Sequence, residues 1–223
     1  MSDVFQEVDE DLRRQEVEEI WAKYGPWAVG VAVVGIAIAS AYMYWQDQKE
    51  TALGDASDVL LGGIEQVLEG ENESAVTTFT DLAADAPGGY QTMALFQLAA
   101  AQRLDGHLIE AVQTYDLLAA DNNLDAAYRD LARLYAGYAA AESPLMGFDE
   151  IEARLGSVAT GTGPWRYHAL EVLAFVSFNG GDLDGAREYY RQITDDGQAS
   201  QQVAARANEM LNMVEAAASP SAE

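Results

Sequence analysis

Three times this 223-residue chain repeats one spacing: a Gly, an Ala five residues on, and an aromatic four further. The instances are Gly70/Ala75/Phe79, Gly106/Ala111/Tyr115 and Gly181/Ala186/Tyr190. A branched aliphatic follows three residues after each aromatic: Leu82, Leu118 and Ile193. The first two copies lie 36 residues apart, and the third lies 75 further on, which leaves room for one degenerate copy between them. A period in the mid-thirties signals stacked helical hairpins. Gly ends the first helix of a hairpin or makes its tight turn. Ala sits where the two helices cross too closely for a larger side chain. The aromatic fills the space against the next hairpin. Arrays of this kind present an extended surface to other proteins and seldom carry chemistry.

Apolar spacing and breakers predict an all-α chain. Helices are expected over 51–68, 73–84, 90–104, 108–120, 125–141 and 165–178. A short helix is expected over 148–155, and a partner to 165–178 over 183–193. Breakers separate them: Pro87-Gly88-Gly89, Asp121-Asn122-Asn123, Pro144, Thr160 to Pro164, and Gly180-Gly181. A last helix over 200–217 carries Val203, Ala207, Met210, Leu211 and Val214 on one stripe, as the capping helix of a solenoid requires. Residues 219–223 read as a disordered tail.

Pro26 to Trp45 is a charge-free stretch of twenty residues, PWAVGVAVVGIAIASAYMYW. About 20 predominantly apolar residues cross a bilayer as a helix. Trp27 at one end and Tyr42, Tyr44 and Trp45 at the other match interfacial aromatic belts. The expected layout is therefore a cytoplasmic acidic segment over 1–25, a transmembrane helix over 26–45 and a repeat domain over 46–218. Arg13, Arg14 and Lys23 precede the span, and only Lys49 follows closely, so the N-terminus is expected in the cytoplasm. In a Gram-negative cell the repeats then face the periplasm from the inner membrane. Ala39-Ser40-Ala41 resembles a signal-peptide cleavage site, but the 25 residues before the span hold eight acidic and three basic groups. That is not a signal-peptide leader, and an uncleaved anchor is expected. Ala28, Ala32, Gly35 and Ala39 form a small-residue face suited to contact with another transmembrane helix. Residues 2–24 read as a charged amphipathic helix, capped by Ser2 or Asp3 and separated from the span by Gly25-Pro26.

The net charge of −25 argues against nucleic acid, because phosphate binding needs a basic patch. The absence of Cys excludes disulfides, thiol nucleophiles and Cys-based zinc sites. His107 and His168 stand apart from any ligand cluster. Gly161-Thr162-Gly163 has no following Lys and is no phosphate loop. Asp149/Glu150 and Asp195/Asp196 read as cap and loop residues rather than acid–base pairs. No active site, cofactor or metal site is expected.

The repeats resemble the tetratricopeptide family. Helix A of that unit carries Leu and a small residue, the turn carries Gly, and helix B carries Ala and an aromatic. Gly63, Gly70, Ala75, Phe79 and Pro87 fit the first unit. Leu95, Leu98, Ala99, Gly106, Ala111 and Tyr115 fit the second; Leu170, Leu173, Ala174, Gly181, Ala186 and Tyr190 fit the fourth. In the third, Leu131, Leu134 and Tyr138 fit helix A, but no trio follows, and helix B is expected to be shortened and displaced by an insertion over 143–164. The family's helix-A Trp is absent throughout.

The whole layout also resembles the YfgM-type ancillary subunits of the bacterial SecYEG translocon. Trp21-Ala22-Lys23-Tyr24-Gly25 leads into the span, Tyr44-Trp45 closes it, and repeats follow. That resemblance implies partnership with SecYEG and with a membrane-anchored periplasmic chaperone, in aid of secreted proteins as they emerge. A scaffold for another envelope complex, in division or outer-membrane biogenesis, is the alternative. Projecting the family's spacing places Met93, Phe96, Arg103, Arg129, His168, Glu171, Phe175 and Phe178 on a concave protein-binding face.

Overall fold

The computed structural model describes residues 3–219, and within the first helix it describes few side chains before residue 33. Nine helices and no strand occur among the described residues. They are α1 Asp3–Leu68, α2 Asn72–Asp85, α3 Gly89–Leu104, α4 Leu108–Ala120, α5 Ala126–Glu142, α6 Phe148–Ala159, α7 Arg166–Asn179, α8 Leu183–Thr194 and α9 Gln201–Ala218. The chain divides into two compact units, residues 1–54 and 55–223.

The expected break at Gly25-Pro26 does not occur, because α1 is helical through both residues. A proline inside a helix removes one hydrogen bond and crowds the preceding turn. That local cost does not end a helix with good helix formers on both sides, and the sequence alone overweighted it. Ser2 and the tail over 220–223 lie outside the described residues. So do the side chains of the amphipathic segment before Lys23 and those of Pro26, Ala28, Val29 and Ala32. Among the described residues, no helix is long and apolar enough to cross a membrane. The apolar side chains described in the first unit, from Trp27 to Trp45, are all exposed.

The second unit stacks four hairpins: the end of α1 with α2, α3 with α4, α5 with α6, and α7 with α8. Helices α2 to α9 each pack on their neighbours in the chain, with further contact between α5 and α7 and between α7 and α9. In three hairpins the turn is three residues long, with a glycine at its centre. Gly70, Gly106 and Gly181 have φ of 82°, 84° and 83°, the left-handed conformation that L side chains avoid. At each, the glycine N–H bonds the carbonyl three residues back, and the next N–H reaches one five residues back. This pairing satisfies carbonyls that the helix end would otherwise orphan.

The crossing inside each hairpin pairs a small residue on the first helix with a large one on the second. Gly63 faces Phe79, and a Cβ on Gly63 would lie 2.5 Å from the ring's Cε1. Ala99 with Tyr115 and Ala174 with Tyr190 share the same sixteen-residue separation and bury together. Ala75, Ala111 and Ala186 are fully buried at the interfaces, as are Phe79 and Ile193.

The third hairpin is the degenerate copy. Its turn holds five residues, 143–147, instead of three. Ser143 is extended ahead of Pro144, which disfavours the helical region at the residue before it. The two extra residues lengthen the small-to-large separation from sixteen to eighteen. Gly137 faces Leu155, and a Cβ there would lie 2.7 Å from that side chain. Ile151, Leu155 and Val158 then stand where the other hairpins carry Ala, an aromatic and an aliphatic, and all three are buried. Helix α6 is displaced as expected but not shortened, since it has the same 12 residues as α8.

The breaker-rich stretch before α7 is pinned by Trp165, whose indole N–H donates to the Ala127 carbonyl at 2.8 Å. Helix α9 closes the array with Ala207 and Val214 fully buried, and with Val203, Met210 and Leu211 packed against the same core.

Candidate protein-binding groove

The first helices of successive hairpins share one side of the stack. On that side lie two open hollows with a common wall. The larger has a volume of about 650 Å³; Met93, Phe96 and Arg103 from α3 and Leu131, Tyr135 and Tyr138 from α5 line it, with Leu60 and Tyr115 at its edges. The smaller, about 360 Å³, is lined by Glu171, Val172 and Phe175 from α7, with Tyr190 and with Arg206 and Met210 from α9. Tyr138 and Glu142 belong to both.

Aromatic rings dominate the larger hollow. Tyr115 and Tyr135 stack with centroids 5.5 Å apart. Phe96 lies 6.2 Å from Tyr115 and 6.4 Å from Tyr135, the latter edge-on. Tyr138 extends the row, 6.4 Å from Tyr135. Such offset and edge-on contacts hold rings in place beyond what burial supplies. Two ion pairs bridge the groove. Arg103 donates to Glu142 at 2.8 Å, tying α3 to α5. Arg206 donates twice to Glu171 at 2.8 Å, tying α9 to α7, and this pairing raises the pKa of Arg206. Bidentate geometry of this kind fixes the plane of the guanidinium.

A family described as tetratricopeptide repeat-like domain matches residues 18–213 of the sequence. The chain belongs to the tetratricopeptide repeat-like family. No curated protein matches it significantly. In this tetratricopeptide repeat-like chain the groove occupies the side that the first helices of the hairpins build. The family match also takes in the apolar stretch over 26–45.

Of the residues projected onto the groove, Met93, Phe96 and Arg103 meet in the larger hollow and Glu171 and Phe175 in the smaller. Three do not join them. Arg129 and His168 stand in the first turns of α5 and α7 and line neither hollow. The His168 ring sits edge-on to Trp165, and its Nδ1 is buried without a hydrogen-bond partner. Phe178 packs against the hydrophobic core, near the C-terminus of α7, rather than facing the groove. Gly35 and Ala39 of the small-residue face lie on α1 with open space around Gly35. Ala28 and Ala32 lie outside the described side chains.

Tyr135, Tyr138, Glu142, Arg206 and Met210 are groove residues that sequence reasoning missed. A signal for three of them was present, since Leu131, Tyr135, Tyr138 and Glu142 recur at spacings of four, three and four on one face of α5. Among the described residues, no group of three or more His, Asp or Glu side chains is arranged to hold a metal ion.

Burial gives the groove a pH signature. Tyr115 is pushed up to about 12 by burial, against the opposing pull of Arg103. Tyr190 is likewise pushed up to about 12 by burial, with Glu171 adding to the rise. The unfolded value is about 10. A raised folded value favours the neutral phenol in the native state, so its stability is complete below pH 10 and is lost as pH climbs through 12. An alkaline titration followed by circular dichroism and tyrosinate absorbance should show helix lost over that window. Tyr115→Phe should make the loss shallower. Ionisation of Tyr115 near pH 10 with helix intact would contradict its burial.

Proposed function

We propose that this chain is a membrane-anchored interaction scaffold that serves the SecYEG translocon and a membrane-anchored periplasmic chaperone, assisting secreted proteins as they emerge. The observation that carries the scaffold part is the groove. Its apolar floor and two ion-paired rims lie on the first-helix side of a tetratricopeptide repeat-like stack. Binding is the activity its chemistry suits.

The anchor rests on the first unit. Trp27, Val31, Val33, Val34, Ile36 and Ile38 are exposed, an arrangement that favours a lipid surround over water. Lys49 stands over the Trp45 ring, with its nitrogen 3.9 Å from the centroid, and Tyr42 packs beside the same indole. An interfacial aromatic with a neighbouring cation suits the boundary between acyl chains and headgroups. Arg13, Arg14 and Lys23 on the other side favour a cytoplasmic N-terminus. The choice of SecYEG and chaperone as partners rests on the YfgM-type layout, with Trp21 to Gly25 before the span and Tyr44-Trp45 after it.

Crosslinking of the intact, membrane-embedded protein, with partners identified by mass spectrometry, tests the proposal. Translocon subunits together with a periplasmic chaperone are the expected products. Recovery of a division or outer-membrane assembly complex without translocon subunits would overturn the choice of partners and leave the scaffold.

A further inference from the structure

We infer that the two hollows receive one continuous, apolar-rich polypeptide segment carrying lysine or arginine, with a cationic side chain held by the tyrosine row beside Glu142. The inference rests on the scaffold reading and specifies what the groove selects.

Charge supplies the first argument. From residue 55 onward the chain holds eight Arg and no Lys, against 27 acidic residues. Seven of those eight arginines are engaged in ion pairs: Arg103, Arg133, Arg154, Arg166, Arg187, Arg191 and Arg206. The cations are consumed internally and the carboxylates remain in large excess. The carboxylate excess of the unit as a whole attracts a basic segment and repels an acidic one, while the charges that line the groove itself, Arg103 with Glu142 and Arg206 with Glu171, are paired.

The walls supply the second. Tyr135, Tyr138 and Phe175 are large rings left partly open to solvent, at 42%, 37% and 47% exposure. Ring faces attract ammonium and guanidinium groups. The larger hollow already seats one guanidinium: Arg103 reaches across it to Glu142, beside the Tyr115 ring. A lysine or arginine from a partner would meet the same chemistry one ring further along, at Tyr135 and Tyr138. Met93, Leu131, Val172 and Met210 take the apolar side chains on either side. Methionines conform to side chains of varied shape, so the pattern matters more than an exact sequence. Because Tyr138 and Glu142 wall both hollows, one segment can occupy both at once.

The test uses the full chain in phosphatidylcholine nanodiscs, with empty discs as the blank. Three fluorescein-labelled peptides share one pattern of Leu and Phe and differ only in carrying Lys, Ser or Glu between them. Fluorescence anisotropy should show the Lys peptide binding about tenfold tighter than the Ser peptide, with the Glu peptide weakest. Added salt should narrow the gap. The double substitution Tyr135→Ala/Tyr138→Ala should cost the Lys peptide about tenfold with circular dichroism unchanged. Glu142→Gln, which keeps the shape, should reduce the Lys preference and spare the Ser peptide. Equal binding of all three peptides, lost in the tyrosine variant, would overturn the basic preference and leave the groove as a binding site. Lys-peptide binding that ignores the tyrosine variant would overturn the placement. Failure of every peptide to bind would overturn both this inference and the groove's role in the scaffold.

Discussion

Gly63→Ala is expected to destabilise the native chain yet stabilise a Phe79→Ala variant. Phe79 is fully buried in a cluster with Ala75, Leu98 and Ala101, against Leu60, Ile64 and Val67. Truncating such a ring costs about 3–5 kcal/mol, through lost transfer energy and the cavity left behind. A Cβ on Gly63 would meet that ring at 2.5 and 2.7 Å, so the ring or the helix must move. Overpacking of this kind costs about 1–3 kcal/mol. Once the ring is gone the clash is gone too, and the intrinsic advantage of Ala over Gly within a helix, about 1 kcal/mol, should emerge. Urea unfolding of the four proteins, followed by circular dichroism, measures the cycle. The same penalty for Gly63→Ala in both backgrounds would show that the close approach of α1 and α2 is not what keeps position 63 small.

Deleting residues 26–45 should move the protein from the membrane pellet to the supernatant after a carbonate wash. The deletion removes every exposed apolar side chain described between Trp27 and Trp45. It leaves untouched the unit that begins at residue 55, which has its own buried clusters. The helical spectrum and thermal transition of the repeats should therefore survive, while crosslinks to translocon subunits fall to background. A deleted protein that stays with the washed membranes would sink the anchored reading. One that becomes soluble yet keeps its translocon crosslinks would move the partner contact onto the repeats.

Three hairpins were legible in the sequence because each rule there had a local cause. A left-handed turn demands Gly, so Gly70, Gly106 and Gly181 announce themselves. A close crossing demands small residues, so Ala75, Ala111 and Ala186 recur five positions after those glycines, and the fold adds a small residue sixteen positions before each aromatic. The third hairpin obeys the same geometry with different letters. Two extra turn residues stretch the spacing to eighteen, and Ile151 with Leu155 fill what Ala and an aromatic fill elsewhere. Fixed letters at fixed offsets find its first helix through Leu131, Leu134 and Tyr138 but pass over its second.

The groove was harder for a related reason. Tyr135 and Tyr138 lie on the first helix of that degenerate hairpin, which Leu131, Leu134 and Tyr138 mark in the sequence, while the projected register put only Arg129 in the groove. Phe175 and Phe178 are three residues apart on α7 and look equivalent in sequence. One opens into the smaller hollow and the other packs into the core. Which of them faces outward depends on the helix's rotation against α8 and α9, and that is set by long-range packing.

The largest buried cluster runs from Ala111 in α4 to Val214 in α9, whereas the clusters nearer the first unit are small. A ribosome makes the smaller clusters first and the largest last. The early hairpins can close their own clusters as they leave the exit tunnel, whereas the largest one lacks Ala207 and Val214 until its final helix has been synthesised. A nascent chain stalled before residue 201 lacks α9 and leaves the face of α8 that α9 covers open to any chaperone within reach.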